Sequence, residues 1–123
     1  MPYMRAGEMY LIEAEALARA GDEAGAKAVF DELMLNRNPS WTSTSRTGQA
    51  FIDQIMIHRR IELWGEGFRF TDLKRLNIGF SRPTPNHTVS ICRVLTMDPG
   101  DPEWQFLIPQ AEIDANNNIV QNP

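Results

Sequence analysis

Residues 5–35, RAGEMYLIEAEALARAGDEAGAKAVFDELML, carry the strongest structural signal in this chain. Apolar residues recur at steps of three and four in each half of the stretch, which predicts two amphipathic helices. Gly21 supplies the left-handed residue with which helices commonly end, and Asp22 can cap the helix that follows. A turn this short forces the two helices to pack antiparallel, and small residues at the facing positions allow them to approach closely.

The predicted hairpin occupies residues 3–35 and resembles a tetratricopeptide repeat (TPR) unit. The resemblance rests on Tyr10, Leu11, Ala14, Gly21, Asp22, Ala26, Ala28 and Phe30. A single unit of this kind cannot bury both of its faces, so it needs neighbours. An ordinary helical hairpin within a bundle is the alternative interpretation, because no second copy follows at the repeat period.

The range 49–76 predicts a buried third helix followed by a bend. It comes after a loop rich in cap and turn formers, and its residues up to about Trp64 are apolar on nearly every side. Other elements should therefore enclose this helix, with Trp64 in the core. Gly65 and Gly67 interrupt the pattern, and a short helix ends near Leu76.

The range 77–123 predicts an irregular segment that ends in a C-terminal turn. Two short runs, residues 89–95 and 104–108, have strand-like composition and could pair as a small β-hairpin. The fold class is therefore mainly α: a TPR-like hairpin, a buried third helix and a long irregular segment, all within one region spanning 1–123.

Composition excludes several classes of function. The 123 residues carry 12 Lys+Arg against 16 Asp+Glu, a net charge of −4, without the basic patch that nucleic-acid binding needs. No apolar stretch approaches the roughly 20 residues of a membrane-spanning helix. The lone Cys92 can form neither an internal disulfide nor a thiolate metal cluster, and we expect no metal and no cofactor.

The densest charge cluster lies in the most apolar part of the chain. It comprises Arg59, Arg60, Glu62, Glu66, Arg69 and Asp72. Because isolated buried charges are costly, we expect a structural ion network in which Arg59 and Glu62 pair with Arg69 and Asp72. A glycosidase-like pair of Glu62 and Glu66 is the rival interpretation, but neighbouring arginines oppose a protonated general acid. We therefore predict no catalytic residue.

Trp41 is the tryptophan that sequence singles out as a ligand contact. It lies in a polar loop with Arg37 and Asn38, whose side chains can hydrogen-bond to hydroxyl groups. An exposed indole in such a setting can stack on the apolar face of a sugar. The alternative is that Trp41 docks on the hydrophobic core. Neither His58 nor His87 has the spacing of a zinc motif.

Three segments in this order and spacing resemble the C-terminal part of the RagB/SusD family of outer-membrane nutrient-binding lipoproteins. They are residues 5–21, residues 59–75 with the pattern RRIELxxEG followed by RFxDLKR, and residues 106–113, FLIPQxEI, with the ending 121–123, QNP. Two positions depart from the family pattern. His58 stands where a glutamate is usual, and Leu76 where a tryptophan is common.

The resemblance implies that the intact protein binds an oligosaccharide or another nutrient at the surface of a Bacteroidetes-type cell, without catalysis. It implies a lipid-anchored N-terminal half, absent from this chain, that packs further helices here, and a SusC-like TonB-dependent transporter as partner. Family motifs in this segment are structural, so no ligand residue transfers by motif matching. A stand-alone helical-repeat adaptor for protein partners is the alternative function.

Overall fold

The structure, a computed structural model, describes residues 5–82, 86–92, 94–116 and 118–122. These residues are mainly helical, which confirms the predicted fold class. The chain divides into two compact units, Met1–Phe68 and Arg69–Pro123. Three predicted features lie outside the described residues: the start of the hairpin at residue 3, Arg93 of the strand-like run, and Pro123.

The first unit begins with the predicted helical hairpin. Helix α1 spans Ala6–Ala20 and α2 spans Glu23–Arg37. Gly21 adopts φ 90°, and the amides of Gly21 and Asp22 donate to the carbonyls of Ala18 and Leu17 at 3.2 and 3.0 Å. The Asp22 carboxylate accepts from the Gly25 amide at 2.9 Å and caps α2. Both predicted roles at this turn are confirmed.

Helix α3, Gly48–Glu62, packs against the hairpin. The first residue of α3 is hydrogen-bonded to α2, because the Gly48 amide donates to the Glu23 carboxylate at 2.8 Å. This hydrogen bond lowers the pKa of Glu23 and satisfies an amide that a helix start leaves without an intrahelical partner. The buried core of the unit comprises Leu11, Ala14, Ala26, Phe30, Leu33, Met34, Phe51 and Ile55.

The prediction that α3 is enclosed on nearly every side is wrong for one of its faces, and the prediction that Trp64 lies in the core is also wrong. Ile57, Ile61 and Trp64 are 50%, 67% and 85% exposed. Phe51 and Ile55 of the same helix are fully buried. Ile57 and Ile61 lie one helical turn apart on α3, and Trp64, just past the end of the helix, lines the same groove, so the three form one exposed stripe that the described residues of this unit do not cover.

The second unit is built around α4, Phe68–Arg75, which follows a break at Gly65 and Gly67. Asn77, at φ 51°, ends this helix in a Schellman motif, with the Ile78 amide donating to the Leu73 carbonyl at 2.9 Å. Short elements complete the unit: β1 at Phe80–Ser81, α5 at Val89–Cys92, β2 at Thr96–Met97, a 3₁₀ turn at Pro102–Trp104 and α6 at Gln110–Ala115.

A two-stranded antiparallel sheet is present, but its strands are β1 and β2, with Phe80 opposite Met97. The predicted pairing of residues 89–95 with 104–108 is therefore wrong. Residues 89–92 of the first run form α5, since the Ile91 and Cys92 amides donate to the Thr88 carbonyl at 3.0 and 2.9 Å. In the second run the Trp104 amide donates to the Asp101 carbonyl at 3.0 Å, which closes the 3₁₀ turn.

The core of the second unit is small and aromatic. Leu73, Met97 and Trp104 are buried, and Phe70 and Phe80 pack against them. The Trp104 ring lies 5.5 Å from the Phe70 ring and 5.9 Å from the Phe80 ring. Across the described residues no helix has the length and apolar character needed to cross a membrane.

Candidate functional site

The three predicted ligand residues lie in the turn that follows α2. Arg37 is the last residue of the helix and Asn38 is its C-cap. The Asn38 side-chain oxygen accepts from the Ser40 amide at 3.0 Å, and its carbonyl accepts from the Trp41 amide at 2.9 Å. Asn38 therefore folds the turn that sets the direction of Trp41.

The Trp41 indole docks on the core of the first unit. Its Nε1 donates to the Asp31 carboxylate at 2.7 Å, and its ring meets the Phe30 and His58 rings edge to face at 5.8 and 5.6 Å. The side chain is half-buried. Most of the Trp41 ring therefore docks on the hydrophobic core, as the alternative prediction stated. Contact between its exposed part and a ligand stays a prediction.

The Arg37 guanidinium is engaged in a two-point ion pair with Glu62. Its Nε lies 3.0 Å from Glu62 Oε2 and its Nη2 lies 2.7 Å from Glu62 Oε1. Such fork-like contacts are the strong form of an arginine–carboxylate pair. The hydrogen bonds raise the pKa of Arg37 and lower the pKa of Glu62. Arg37 therefore meets any ligand only with the remainder of its guanidinium group.

Arg5 completes a four-residue cluster with Arg37, Glu62 and Glu66, which we call the elbow cluster. Arg5 Nη2 lies 3.3 Å from Glu62 Oε1, Arg5 Nη1 donates to the Glu62 carbonyl at 3.1 Å, and Nη1 also pairs with Glu66. A Cβ at Gly7 would lie only 2.6 Å from Glu62 Oε1. The cluster ties the start of α1 to the ends of α2 and α3.

The other members of the predicted network have different surroundings. Arg59 Nη2 lies 3.6 Å from Glu8 Oε1, with both side chains buried, and its guanidinium stands 5.4 Å from the Phe68 ring centroid. Arg60 lies apart from the elbow cluster, with an exposed side chain that lines a surface groove with Ile57, Ile61 and Trp64.

Arg69 and Asp72 of the predicted network belong to the second unit. The buried Asp72 carboxylate accepts from Arg75 Nε at 3.0 Å. The predicted pairing of Arg59 and Glu62 with these two residues stays a prediction. What the structure adds is that Glu62 already binds Arg5 and Arg37, two arginines that the predicted network did not contain.

The elbow cluster does not suit general acid catalysis. Glu62 has a side chain only 10% exposed and accepts from two arginines, and Arg37 is the main reason that its pKa is lowered. A general acid for glycoside hydrolysis has to stay protonated near neutral pH, which requires the opposite shift. Glu66 is also paired with Arg5. The geometry therefore favours a structural role for both carboxylates.

His58 has an apolar environment. Its ring meets the Phe30 and Trp41 rings edge to face at 5.2 and 5.6 Å. Burial lowers the pKa of His58, since a charged imidazolium loses hydration there. Among the described residues no three His, Cys, Asp or Glu side chains are placed to hold a metal ion together.

Sequence reasoning missed Arg5, Glu8 and Asp31 as partners of the charged and aromatic side chains. Glu8 and Arg5 lie on the first turn of α1 or next to it, more than fifty residues from their partners on α3. No local spacing links them. The available signal for Asp31 was its position. It lies ten residues before Trp41, on the helix that leads into the turn.

Fold and site together define a helical, TPR-like module whose charged groups mainly tie helices to one another. The SusD family model matches residues 1–123, so the chain belongs to the SusD (RagB) family. A similar crystal structure is that of a candidate sugar-binding protein from Bacteroides vulgatus, with 29% sequence identity and a TM-score of 0.80. The match covers 100% of this chain but 28% of that chain. No curated protein matches the sequence.

Proposed function

We propose that this chain is part of a cell-surface protein that binds an oligosaccharide or another nutrient without catalysis. The observation that carries the proposal is the SusD family match over residues 1–123, together with a structural match that covers all of this chain and 28% of a candidate sugar-binding protein. The ion-paired Glu62, with its lowered pKa, supports a role in binding, because it lacks the protonation that acid catalysis needs.

The intact protein is proposed to be an outer-membrane lipoprotein that delivers its ligand to a SusC-like TonB-dependent transporter. An N-terminal half of the same protein would then pack on this chain. Two observations support that packing. The similar structure is several-fold longer than this chain, and the stripe Ile57, Ile61 and Trp64 exposes large apolar side chains at helix-packing spacing.

The same stripe favours the second candidate function, a helical-repeat adaptor that binds a separate protein. The two proposals predict different behaviour of the intact protein. An adaptor would bind a protein partner through Ile57, Ile61 and Trp64 and show no affinity for carbohydrate. A nutrient-binding protein would keep its carbohydrate affinity when Ile61 is changed to Ser, provided that the fold is retained by circular dichroism.

Calorimetric titration of the intact protein with a panel of oligosaccharides tests the main proposal. We expect at least one glycan to bind and no glycan to be cleaved, with products followed by chromatography. Cleavage abolished by Glu62→Gln would contradict the non-catalytic role. An absence of binding across the panel, combined with capture of a defined protein partner, would favour the adaptor.

The proposed ligand turn of Arg37, Asn38 and Trp41 is tested by Trp41→Leu, which keeps apolar docking but removes the aromatic face. Trp64→Leu is the matched control, since Trp64 is 85% exposed and far from that turn in sequence. Stacking on Trp41 predicts a loss of affinity of about tenfold for Trp41→Leu, with little change for the control. Equal affinity for both variants would remove Trp41 from the site.

A further inference from the structure

A cavity within the second unit has a construction suited to a small ligand. It has a volume of about 350 Å³ and opens to solvent. That volume lies in the range of small-molecule sites, which begins near 300 Å³. Its apolar lining comes from Leu73, Ile78 and Trp104, and its polar lining comes from Lys74, Asn77 and Asp101, with Gln105 beside them.

Two hydrogen-bonded turns contribute residues to the cavity lining. One is the Schellman motif at the end of α4, which fixes Asn77 in the left-handed conformation. The other begins at Asp98, whose amide donates to the Asp101 carboxylate at 2.7 Å, and continues into the 3₁₀ turn. Backbone that is already fixed in such turns loses less entropy when a ligand binds.

The buried Trp104 couples the second turn to the aromatic core. Its Nε1 donates to the Asp98 carbonyl at 2.7 Å, while its ring packs against Phe70 and Phe80. Trp104 therefore fixes the apolar part of the cavity relative to the Asp98 turn. The cavity is in this sense formed before any ligand arrives.

The polar side chains around the cavity are available to a ligand. Within the described part of the chain, the Lys74 ammonium and the side-chain amides of Asn77 and Gln105 make no hydrogen bond or ion pair. All three are exposed. Together with the Asp101 carboxylate they offer both donors and acceptors.

We propose that this cavity binds one neutral pyranose unit of a glycan. A sugar ring has an apolar C–H face, which matches the exposed Ile78 and the small exposed parts of Leu73 and Trp104. It also has a rim of hydroxyl groups that donate and accept, which matches the polar side chains. The single ammonium of Lys74 and the single carboxylate of Asp101 leave the lining without net charge, which suits a neutral ligand, and these charged groups would disfavour an apolar one. The inference rests on the proposed function, because it assigns a site for carbohydrate within this chain.

Nuclear magnetic resonance of the ¹⁵N-labelled chain tests the inference directly. Glucose, galactose, mannose and N-acetylglucosamine are titrated separately, with glucuronate as the anionic comparison. The three tryptophans give three indole signals that report on different places. We expect a neutral sugar to shift the Trp104 indole and the Gly100 and Gln105 amides, and glucuronate to bind no more tightly than the neutral sugar.

Two variants remove ligand contacts without disturbing the turns. Asn77→Gly keeps the left-handed backbone at that position, and Gln105→Ala removes an exposed amide. Each should weaken sugar binding about three- to tenfold. Gln110→Ala is the matched control, because Gln110 lies in α6 and does not line the cavity.

The outcomes separate this inference from the proposed function. Sugar-dependent shifts confined to the Trp41 indole would overturn the cavity site and leave carbohydrate binding by this chain intact. No shift with any sugar, while the intact protein still binds a glycan in calorimetry, would overturn the cavity site alone. Shifts at Trp104 that are equal in Asn77→Gly, Gln105→Ala and Gln110→Ala would also overturn it.

Discussion

The two units of this chain are stabilised in different ways. In the first, three helices of 15 residues each surround a continuous core that includes the fully buried Leu11, Phe30 and Ile55. In the second, the elements are short, the buried core among the described residues comprises Leu73, Met97 and Trp104, and single side chains hold irregular backbone in place. Burial of apolar side chains therefore stabilises the first unit, whereas a few specific hydrogen bonds and contacts between aromatic rings stabilise the second.

The C-terminal segment illustrates the second mode of stabilisation. The Asn122 side-chain amide donates to the Phe106 carbonyl at 3.1 Å, and the Gln121 side-chain amide donates to the Ile108 carbonyl at 3.1 Å. The Ile108 amide in turn donates to the side-chain oxygen of Gln121 at 2.9 Å. Two amide side chains thus take the place that a neighbouring β-strand would have.

The largest expected effect is that of Phe30→Ala in the first unit. Phe30 is fully buried and contacts the Phe51 ring at 5.7 Å as well as the rings of Trp41 and His58. Removing such a ring from a packed core should lower the free energy of unfolding by about 3–5 kcal/mol. Urea denaturation followed by circular dichroism measures the change.

The control for Phe30→Ala is Ile61→Ala, because Ile61 is 67% exposed on the open face of α3. It should change the free energy of unfolding by no more than about 0.5 kcal/mol. Phe30→Leu keeps most of the volume and gives a measurable variant if the alanine variant does not fold. Equal effects at residues 30 and 61 would contradict a core centred on Phe30.

The second effect is that of Trp104→Phe, which should destabilise the second unit selectively. The substitution removes the indole donor and leaves the Asp98 carbonyl without the 2.7 Å hydrogen bond, at a cost of about 2 kcal/mol. Hydrogen exchange should accelerate for amides in residues 70–105 and stay unchanged in α1 and α2. Trp64→Phe is the control, and uniform acceleration in both units would show that they unfold as one.

Sequence predicted the first unit well because its determinants are local. Apolar spacing, Gly21 and Asp22 are sufficient to specify two antiparallel helices, and the structure contains both turn contacts. The open face of α3 was not predictable from this chain, since Ile57 and Ile61 look like core residues by composition. Apolar periodicity indicates that a face can be covered, but not whether the covering element is present.

In the second unit, local pattern led to the wrong pairing because Val89, Ile91 and Val94 are β-branched, a composition typical of strands, whereas residues 89–92 form α5. The observed partner of β1 is Thr96–Met97, just beyond that run. Gly79 permits the pairing, because a Cβ there would collide with the Met97 carbonyl. For the candidate site, the turn of Arg37, Asn38 and Trp41 was predictable, whereas the partners Glu62 and Asp31 depend on tertiary packing.

The third effect is that of Glu62→Gln, which tests whether the elbow cluster stabilises the first unit. Glu62 carries two arginine contacts, but both arginines are substantially exposed, so the expected loss is about 1 kcal/mol after allowance for solvent screening. Glu66→Gln is the matched control with a single contact to Arg5, and its effect should be smaller. Equal losses of stability in the two variants would contradict the conclusion that Glu62 is the main carboxylate of the elbow cluster.

The pH dependence of Glu62→Gln follows from the same contacts. Hydrogen bonds from Arg37 hold the folded pKa of Glu62 below its ordinary value of 4.5. Its contribution to stability is therefore present above about pH 4.5 and is lost as the pH falls through the lowered folded value. Wild-type protein should lose stability more steeply than the variant in this acidic range, measured by urea denaturation.

The smallest expected effect is a mild loss of stability as the pH falls below about 6.5, which we assign to His58. Burial against Phe30 and Trp41 lowers its pKa from 6.5, so the unfolded chain binds a proton there more readily than the folded chain. The contribution of neutral His58 is fully present above 6.5 and is lost as the pH falls towards the folded value. His58→Gln should flatten the slope of unfolding free energy against pH in this range.

His87→Gln is the matched control at the other histidine. An unaltered slope in His58→Gln would mean that the His58 ring binds a proton equally well in the folded and unfolded states.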